Sequence, residues 1–474
     1  MPDLPAPLEE QSDTAAALLH VLASHAPAEL RNDRGEVDPE ALCCALEILA
    51  EQQSPTGEGY SFSWPGKQQA QQIASPAQLQ QQSRLCRADG AAFQPATPLD
   101  HHALIVGDNL FGLAHYEHLT SEQPEVIYID PPYNTGGSMV YADSFHDKRR
   151  ARGTEPVGKH ASWLSLMLPR LRLARDILAD NGVIYVSIDD TEVAQLRLVM
   201  DELFGVRNHL ATFVWETKRA ARGVPPKHLV MTNHEYVLAY AKHASHFQFR
   251  GVEREIDGFH NPDEDPRGPW RSESMKATDR RSNVFTITDP VTGRRYTGNW
   301  AFTQETLTAM IADNRVVFPA DPQGTPRQKK FFDSYRNPRK AFVTQLGWYS
   351  TEAATKALQR QFDGVRVFDF PKPQALLQFL LKQATDNGIV LDFFAGSGST
   401  AEAVVACNAA DGGNRRAVLM QQPEILPADA AARQLGLETI SDITRARFER
   451  CLAVSNSDRS GTGAWPLQVY EITY

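Results

Sequence analysis

Val126-Ile127-Tyr128-Ile129-Asp130-Pro131-Pro132-Tyr133 is an apolar run that stops on an acid and two prolines. Four consecutive apolar residues bounded by turn signals read as a strand buried on both faces, the pattern of a parallel sheet. Two prolines cannot continue a central strand, so the chain turns there. An acid, a rigid corner and an aromatic ring are therefore presented together at a strand's carboxyl end, where ligands bind in open α/β sheets. The set suits a planar amine. Asp130 accepts its hydrogen bonds, the carbonyl of Pro131 or Pro132 accepts another, and Tyr133 stacks on its ring. An ordinary Pro-Pro turn with a capping Asp is the alternative.

A second strand end lies far downstream. Ile389-Val390-Leu391-Asp392-Phe393-Phe394-Ala395-Gly396-Ser397-Gly398-Ser399-Thr400 reads as strand, glycine turn and helix, the helix running from Ala401 to Cys407. Glycines let backbone N–H groups approach a ligand at a helix N-terminus. Ala401 stands where a third glycine would complete a dinucleotide fingerprint, and no Lys-Ser/Thr pair follows as in a nucleotide P-loop.

The segments around the first strand alternate. Ala103–Val106, Val126–Ile129 and Val183–Ile188 read as strands; 110–119, 163–179 and 191–203 read as helices. Such alternation predicts a doubly wound α/β sheet. Thr212–Trp215 and Tyr236–Ala241 read as a terminal strand pair. Ile389–Phe393 and Ala417–Gln421 supply two further strands, so one sheet is assembled from both ends of the chain.

Together the two strand ends resemble those of amino-group DNA methyltransferases that use S-adenosylmethionine. The Asp-Pro-Pro-Tyr element precedes the Phe-x-Gly-x-Gly element, the permuted order of the β class. Ser63-Trp64-Pro65-Gly66-Lys67, Gly107-Asp108-Asn109-Leu110 and Tyr133-Asn134-Thr135-Gly136 resemble the modification subunits of type III restriction-modification systems. So do Ser187-Ile188-Asp189-Asp190-Thr191-Glu192 and Asn233-His234-Glu235-Tyr236-Val237-Leu238. The resemblance covers about residues 60 to 450.

It implies a permuted, Rossmann-like methyltransferase sheet in which the strands at Ile389, Ala417, Ala103 and Val126 are first to fourth. It implies transfer of a methyl group to the N6 amine of a flipped adenine; cytosine-N4 enzymes more often carry Ser where this chain has Asp130. Asp130, Pro131, Pro132 and Tyr133 are the catalytic set. Phe394, Gly396 and Gly398 would cradle the methionine part of the cofactor, with Asp392 near its amino group. Lys372 and the N-terminus of the helix 374–384 suit its carboxylate, Asp108 its adenine and Glu424 its ribose, and Phe370 is a further cofactor contact. Asp108 reads equally as a helix cap. The implied partners are double-stranded DNA, a second copy of the chain and a helicase-nuclease restriction subunit, in the cytoplasm. The rivals are a solitary or cytosine-N4 enzyme, an RNA-directed one, and a non-catalytic DNA-binding subunit. The recognition insertion is short for the type III family.

Composition agrees with a nucleic-acid enzyme only through its distribution. The 474 residues carry a net charge of −10. Basic clusters stand at Lys148–Arg152, Lys218–Arg222, Arg267–Arg281 and Arg327–Lys340, interleaved with Trp215, Trp270, Phe331, Phe332 and Tyr335, while acids gather in 117–125 and 176–202. No run reaches the roughly 18 apolar residues of a membrane span. Met1–Glu10 is acidic and Pro-rich, unlike a signal peptide. The five cysteines form no Cys-x-x-Cys pair, and no metal site is expected.

The chain divides into an auxiliary helical region (1–100), with helical periodicity over 13–52 and one Gln/Ala-rich helix plus linker over 67–83; a catalytic half (101–245); a loop-rich basic insertion expected to recognise the target (246–365); a cofactor half (366–454); and a tail (455–474). In the tail 455–464 reads as polar and flexible and 466–474 as a short edge strand.

Overall fold

In the computed structural model Val126–Ile129 is a strand with all four side chains buried. The residues described are 62–73, 75–93, 98–135, 158–219, 229–278, 283–335, 339–457 and 465–474. The expected helices of 13–52, the basic cluster 148–152 and most of 455–464 lie outside them.

One ten-stranded sheet organises the larger of two compact units. Its strands in chain order are β1 (Arg84–Arg87), β2 (His102–Val106), β3 (Val126–Ile129), β4 (Val183–Ile188), β5 (His209–Glu216), β6 (His234–Ala241), β7 (Gln345–Trp348), β8 (Asn387–Asp392), β9 (Asn414–Gln421) and β10 (Leu467–Thr473). They lie in the order β1-β10-β2-β9-β8-β3-β4-β6-β5-β7. From β10 to β4 every neighbour is parallel; β6 runs antiparallel to both β4 and β5. The strands read as third, second, first and fourth therefore stand side by side as β2, β9, β8 and β3.

The order reverses between β8 and β3. From β8 the chain crosses by helix Ser399–Asp411 to β9 on one side; from β3 it crosses by helix Lys159–Ile177 to β4 on the other. A crevice opens at the carboxyl ends of two strands that diverge in this way. The buried runs of β3 and β4 pack Ile127, Ile129, Ile184 and Val186 against Trp163, Met167 and Leu171 of the helix 159–177.

Several boundaries differ from expectation. The stretch 67–83 is two helices, Lys67–Ile73 and Pro76–Gln82, because Pro76 can only begin a helix. The helix expected over 110–119 breaks at His115, whose backbone leaves the helical region, into Asn109–Ala114 and Tyr116–Leu119. The C-terminal strand is not an edge: β10 lies between β2 and β1, and β1 comes from the region read as auxiliary. That region is clasped to the sheet body, since the Trp64 indole donates to Ser165 Oγ at 3.0 Å and Lys67 pairs with Glu202 at 2.6 Å.

Residues 250–343 form the second compact unit. The insertion is shorter than the expected 246–365, because Gln345–Trp348 rejoins the main sheet beside β5 and helix Thr351–Gln361 follows it. The unit is not structureless. It holds a three-stranded sheet of Trp270–Ser274, Arg327–Phe331 and Val316–Val317, a hairpin of Val284–Thr288 with Arg295–Asn299, and helix Gln304–Ala312, around Met275, Ile287, Trp300, Leu307 and Met310. Its strands are two to five residues long and half exposed, too short for alternation to register.

Candidate active site

The crevice holds a cavity of about 240 Å³ whose walls include Asp130, Pro132, Phe370, Lys372, Asp392, Phe394, Gly396 and Glu424. Eight of the twelve sequence-predicted site residues thus share one space, although they come from two stretches far apart in the chain. Pro131, Tyr133, Asp108 and Gly398 are not on its wall.

At the β8 end the chain makes its own turn. Asp392 is 2% exposed; its carboxylate accepts from the Phe394 N–H at 2.9 Å and the Thr400 hydroxyl at 2.5 Å. Burial pushes its carboxyl up to about 7. Gly396 sits at φ 51°, donates its N–H to Gln421 Oε1 at 2.7 Å, and its carbonyl accepts from the Thr444 hydroxyl at 2.6 Å. Arg447, 3% exposed, donates to Ser397 Oγ at 2.8 Å and Ser399 Oγ at 2.9 Å. Helix Ile440–Ser457 therefore clamps the turn. Gly398 serves that packing rather than the cavity: at φ 81°, a Cβ there would stand 3.2 Å from the Thr444 carbonyl oxygen.

At the β3 end the partners are distant in sequence. Asp130 Oδ1 lies 3.1 Å from the Lys372 ammonium, which lies 3.1 Å from Glu235 Oε2 on β6. The Tyr133 hydroxyl donates to Glu235 at 3.1 Å, and Lys372 sits 4.7 Å from the Tyr133 ring centroid. Burial raises the Asp130 carboxyl above its usual range, Lys372 opposes this and Glu235 adds to it. The corner after Tyr133 is held by Asn134, at φ 61°, whose amide donates to the fully buried Glu192 at 2.6 Å.

The geometry bears on three expectations. Lys372 is committed to two carboxylates and a ring, so it does not stand free for the cofactor's carboxylate. The Pro132 carbonyl accepts the Trp163 indole N–H at 2.6 Å, so one of its two lone pairs is already engaged. Asp108 accepts from the Leu110 N–H at 2.8 Å and from Arg170 at 2.7 Å, as a helix cap and ion-pair partner beside the cavity, while its neighbour Asn109 lines the wall. Glu424 lines the wall just past β9. Phe370 is 56% exposed at φ 52°.

Sequence reasoning missed Gln421, Arg170 and Asn109. Arg170 is an arginine buried within an apolar helical stretch, which was a usable signal. Glu235, which the resemblance puts near the target pocket or in a hydrogen-bonded pair with His234, is bound to Lys372 and Tyr133. Asp189 caps Thr191 at 2.8 Å and Asp190 accepts from Tyr236 at 2.8 Å; neither lines the cavity.

The basic runs of the second unit are partly neutralised within it. Arg267 pairs with Asp265 at 2.8 Å and Asp313 at 2.9 Å, Arg271 with Glu273 at 2.5 Å, and Lys329, 5% exposed, with Asp263 and Asp265. Arg254 and Lys330 lie 4.0 and 5.2 Å from the Tyr335 ring centroid. Among the described residues there is no cluster of three metal-ligating side chains, and no helix is long and apolar enough to cross a membrane.

Residues 125–410 match the family model for DNA methylase, N6_N4_Mtase. The chain is 35% identical over 390 residues to the Mod subunit of the type III restriction-modification enzyme StyLTI of Salmonella typhimurium, covering 77% of this chain and 59% of that protein. It is 31% identical over 476 residues to the EcoPI Mod subunit of Escherichia phage P1, covering 87% and 71%. It is 30% identical over 386 residues to the type II methyltransferase M.KpnI of Klebsiella pneumoniae, covering 74% and 88%. Among solved structures, a putative DNA modification methylase from Thermus thermophilus complexed with S-adenosyl-L-methionine aligns with TM-score 0.34 at 16% identity, over 78% of this chain and 99% of that one. With its family model matched over more than half its length, on both sides of the cavity, this chain belongs to the DNA methylase family.

Proposed function

We propose that this protein transfers a methyl group from S-adenosylmethionine to the N6 amine of an adenine flipped out of double-stranded DNA. The observation that carries this reading is the meeting of Asp130 and Asp392, at the carboxyl ends of neighbouring strands, on the wall of one cavity. One acid faces where an amine would enter; the other shapes a glycine turn where a cofactor would lie.

The residues fit the cofactor. Asp392, whose carboxyl is pushed up to about 7, is an acid that a cationic amino group would complement. Gly396 adopts a backbone that side chains disfavour and presents little bulk to the cavity. Glu424, on the wall just past β9, would accept the cofactor's ribose hydroxyls. The bound cofactor supplies an electrophilic methyl group.

The chain's own residues do the rest by position and charge. The amine's lone pair is delocalised into its ring. Ionised Asp130 and the carbonyl of Pro131 or Pro132 accept its two hydrogens and favour a more pyramidal nitrogen, an orientational and electrostatic contribution. A base inside a duplex cannot reach this crevice, so it leaves the stack and Tyr133 offers it a ring to lie on. Residues 250–343 would read the target, in the cytoplasm, where DNA is at hand.

The Mod subunits among the relatives support a modification subunit that pairs with a restriction subunit. A second reading, a solitary methyltransferase, has in its favour the 30% identity over 386 residues to the Klebsiella type II methyltransferase. The test is transfer of tritiated methyl to DNA by the purified protein, followed by nucleoside mass spectrometry. N6-methyladenine is expected; N4-methylcytosine overturns the adenine assignment, and no transfer overturns the enzyme. Co-purification with a helicase-nuclease subunit would separate the type III reading from the solitary one.

A further inference from the structure

Lys372 was expected on the cofactor side. It is found instead on the amine side, 8% exposed, between two carboxylates. Its ammonium also lies over the faces of two rings, 4.7 Å from the centroid of Tyr133 and 6.0 Å from that of Trp215. Glu235 closes the arrangement by accepting from the Tyr133 hydroxyl. Four side chains from three separated segments thus form one constellation around the atom that would hold the target amine.

We propose that Lys372 and Glu235 are positioning residues of the target pocket: the Lys372 ammonium is the counter-ion of Asp130, and Glu235 holds that ammonium and the Tyr133 ring in place. This rests on the methyltransferase reading above and deepens it.

The chemistry follows from the count of charges. A buried Asp130 without a cation nearby would take up a proton, and a protonated carboxyl donates where the reaction needs an acceptor. Lys372 keeps it ionised. Two carboxylates against one ammonium leave a net negative charge, so the site still attracts hydrogen-bond donors after Lys372 is neutralised. Glu235 supplies that surplus and prevents Lys372 from closing wholly onto Asp130. The ammonium lies over one face of the Tyr133 ring, so an incoming base stacks on the other face or displaces it. The other titratable groups that face Asp130 are Tyr128, Tyr133 and Asp392, besides Glu235 and Lys372 themselves. The two tyrosines are held far above their usual range by burial and stay neutral, so the acid limb of activity reports the balance of Lys372, Glu235 and Asp392.

The test uses the full-length protein, S-adenosylmethionine alone by calorimetry, and methyl transfer to DNA across pH. Lys372→Met should bind the cofactor within about threefold of wild type, lose about a hundredfold in kcat, and show an acid limb raised by about one pH unit. Lys372→Arg should bring the limb back toward wild type. Glu235→Gln should move the limb the other way, downward, because a repelling carboxylate is gone. Cofactor binding serves as the folding control for each variant. Two results overturn the proposal: cofactor affinity weakened more than about tenfold in Lys372→Met with kcat at saturation kept, which returns Lys372 to the cofactor, or limbs that shift in the same direction in Lys372→Met and Glu235→Gln. Either can occur with a wild type that methylates adenine, so the methyltransferase reading survives them; a wild type that transfers no methyl group overturns both.

Discussion

The two acids of the cavity are built in opposite ways. Asp392 takes its hydrogen bonds from Phe394 and Thr400, within a single strand–turn–helix, and helix 440–457 clamps that turn from behind. Asp130 has its cation from residue 372 and that cation's second anchor from residue 235. One end is a local motif that folds around its own acid. The other is an electrostatic assembly that exists only when three strands and a connecting loop are in place. A local motif tolerates changes elsewhere; an assembly of charges fails when any member is removed.

The largest expected effect breaks the assembled end. Asp130→Ala should lower methyl transfer about a thousandfold or more while cofactor binding is kept, since nothing else on the wall replaces its acceptor oxygen. Transfer near the wild-type rate by the folded variant would show that the acid at β3 is structural.

The next effect concerns pH at the local end. An ordinary aspartate titrates near 3.8, and Asp392 in the fold at about 7. Below 3.8 folded and unfolded chains both hold the proton. Between 3.8 and 7 only the unfolded chain gives it up, so the stability that Asp392 contributes is lost as pH rises and is gone above about 7. Asp392→Asn should flatten this slope, worth on the order of 4 kcal/mol, in denaturant midpoints measured from pH 4 to 8. In the wild type, cofactor affinity should rise over the same window, because the ionised acid meets the amino group. An unchanged slope in the variant would mean that the carboxyl is ionised throughout.

Tyr133→Ala sharpens the contrast, since it leaves both acids and removes the ring shared by base and ammonium. The flipped-base complex should weaken by about 1–3 kcal/mol, read with DNA carrying a base analogue that fluoresces when unstacked. Thr400→Val removes one local bond to Asp392 and should cost about 1–2 kcal/mol of stability without touching kcat at saturating cofactor. Smallest is Lys330→Ala in the second unit. A lost phosphate contact should weaken binding uniformly across DNA sequences and flatten the salt dependence by about one charge; a change in the methylated motif would instead make Lys330 a base reader.

The sequence by itself determined the strands β2, β3, β4, β8 and β9 and the two strand ends that carry Asp130 and Asp392. Buried parallel strands are continuous apolar runs, and Asp-Pro-Pro-Tyr and the glycine turn are contiguous, so each is written within a dozen residues. It also carried the cap at Asp108, which depends on one N–H two positions away. Only the tertiary structure decided where Lys372 points. A lysine beside a helix N-terminus has several acids within reach of its long stem, and the choice falls to Asp130 and Glu235 because β3 and β6 flank β4 and bring both carboxylates to one place. The interior position of β10, the outer strand β1 and the neutralised arginines of residues 250–343 were likewise out of reach. Strand neighbours and ion pairs join residues far apart in sequence, and their choice depends on which surfaces and charges the finished fold leaves to be covered.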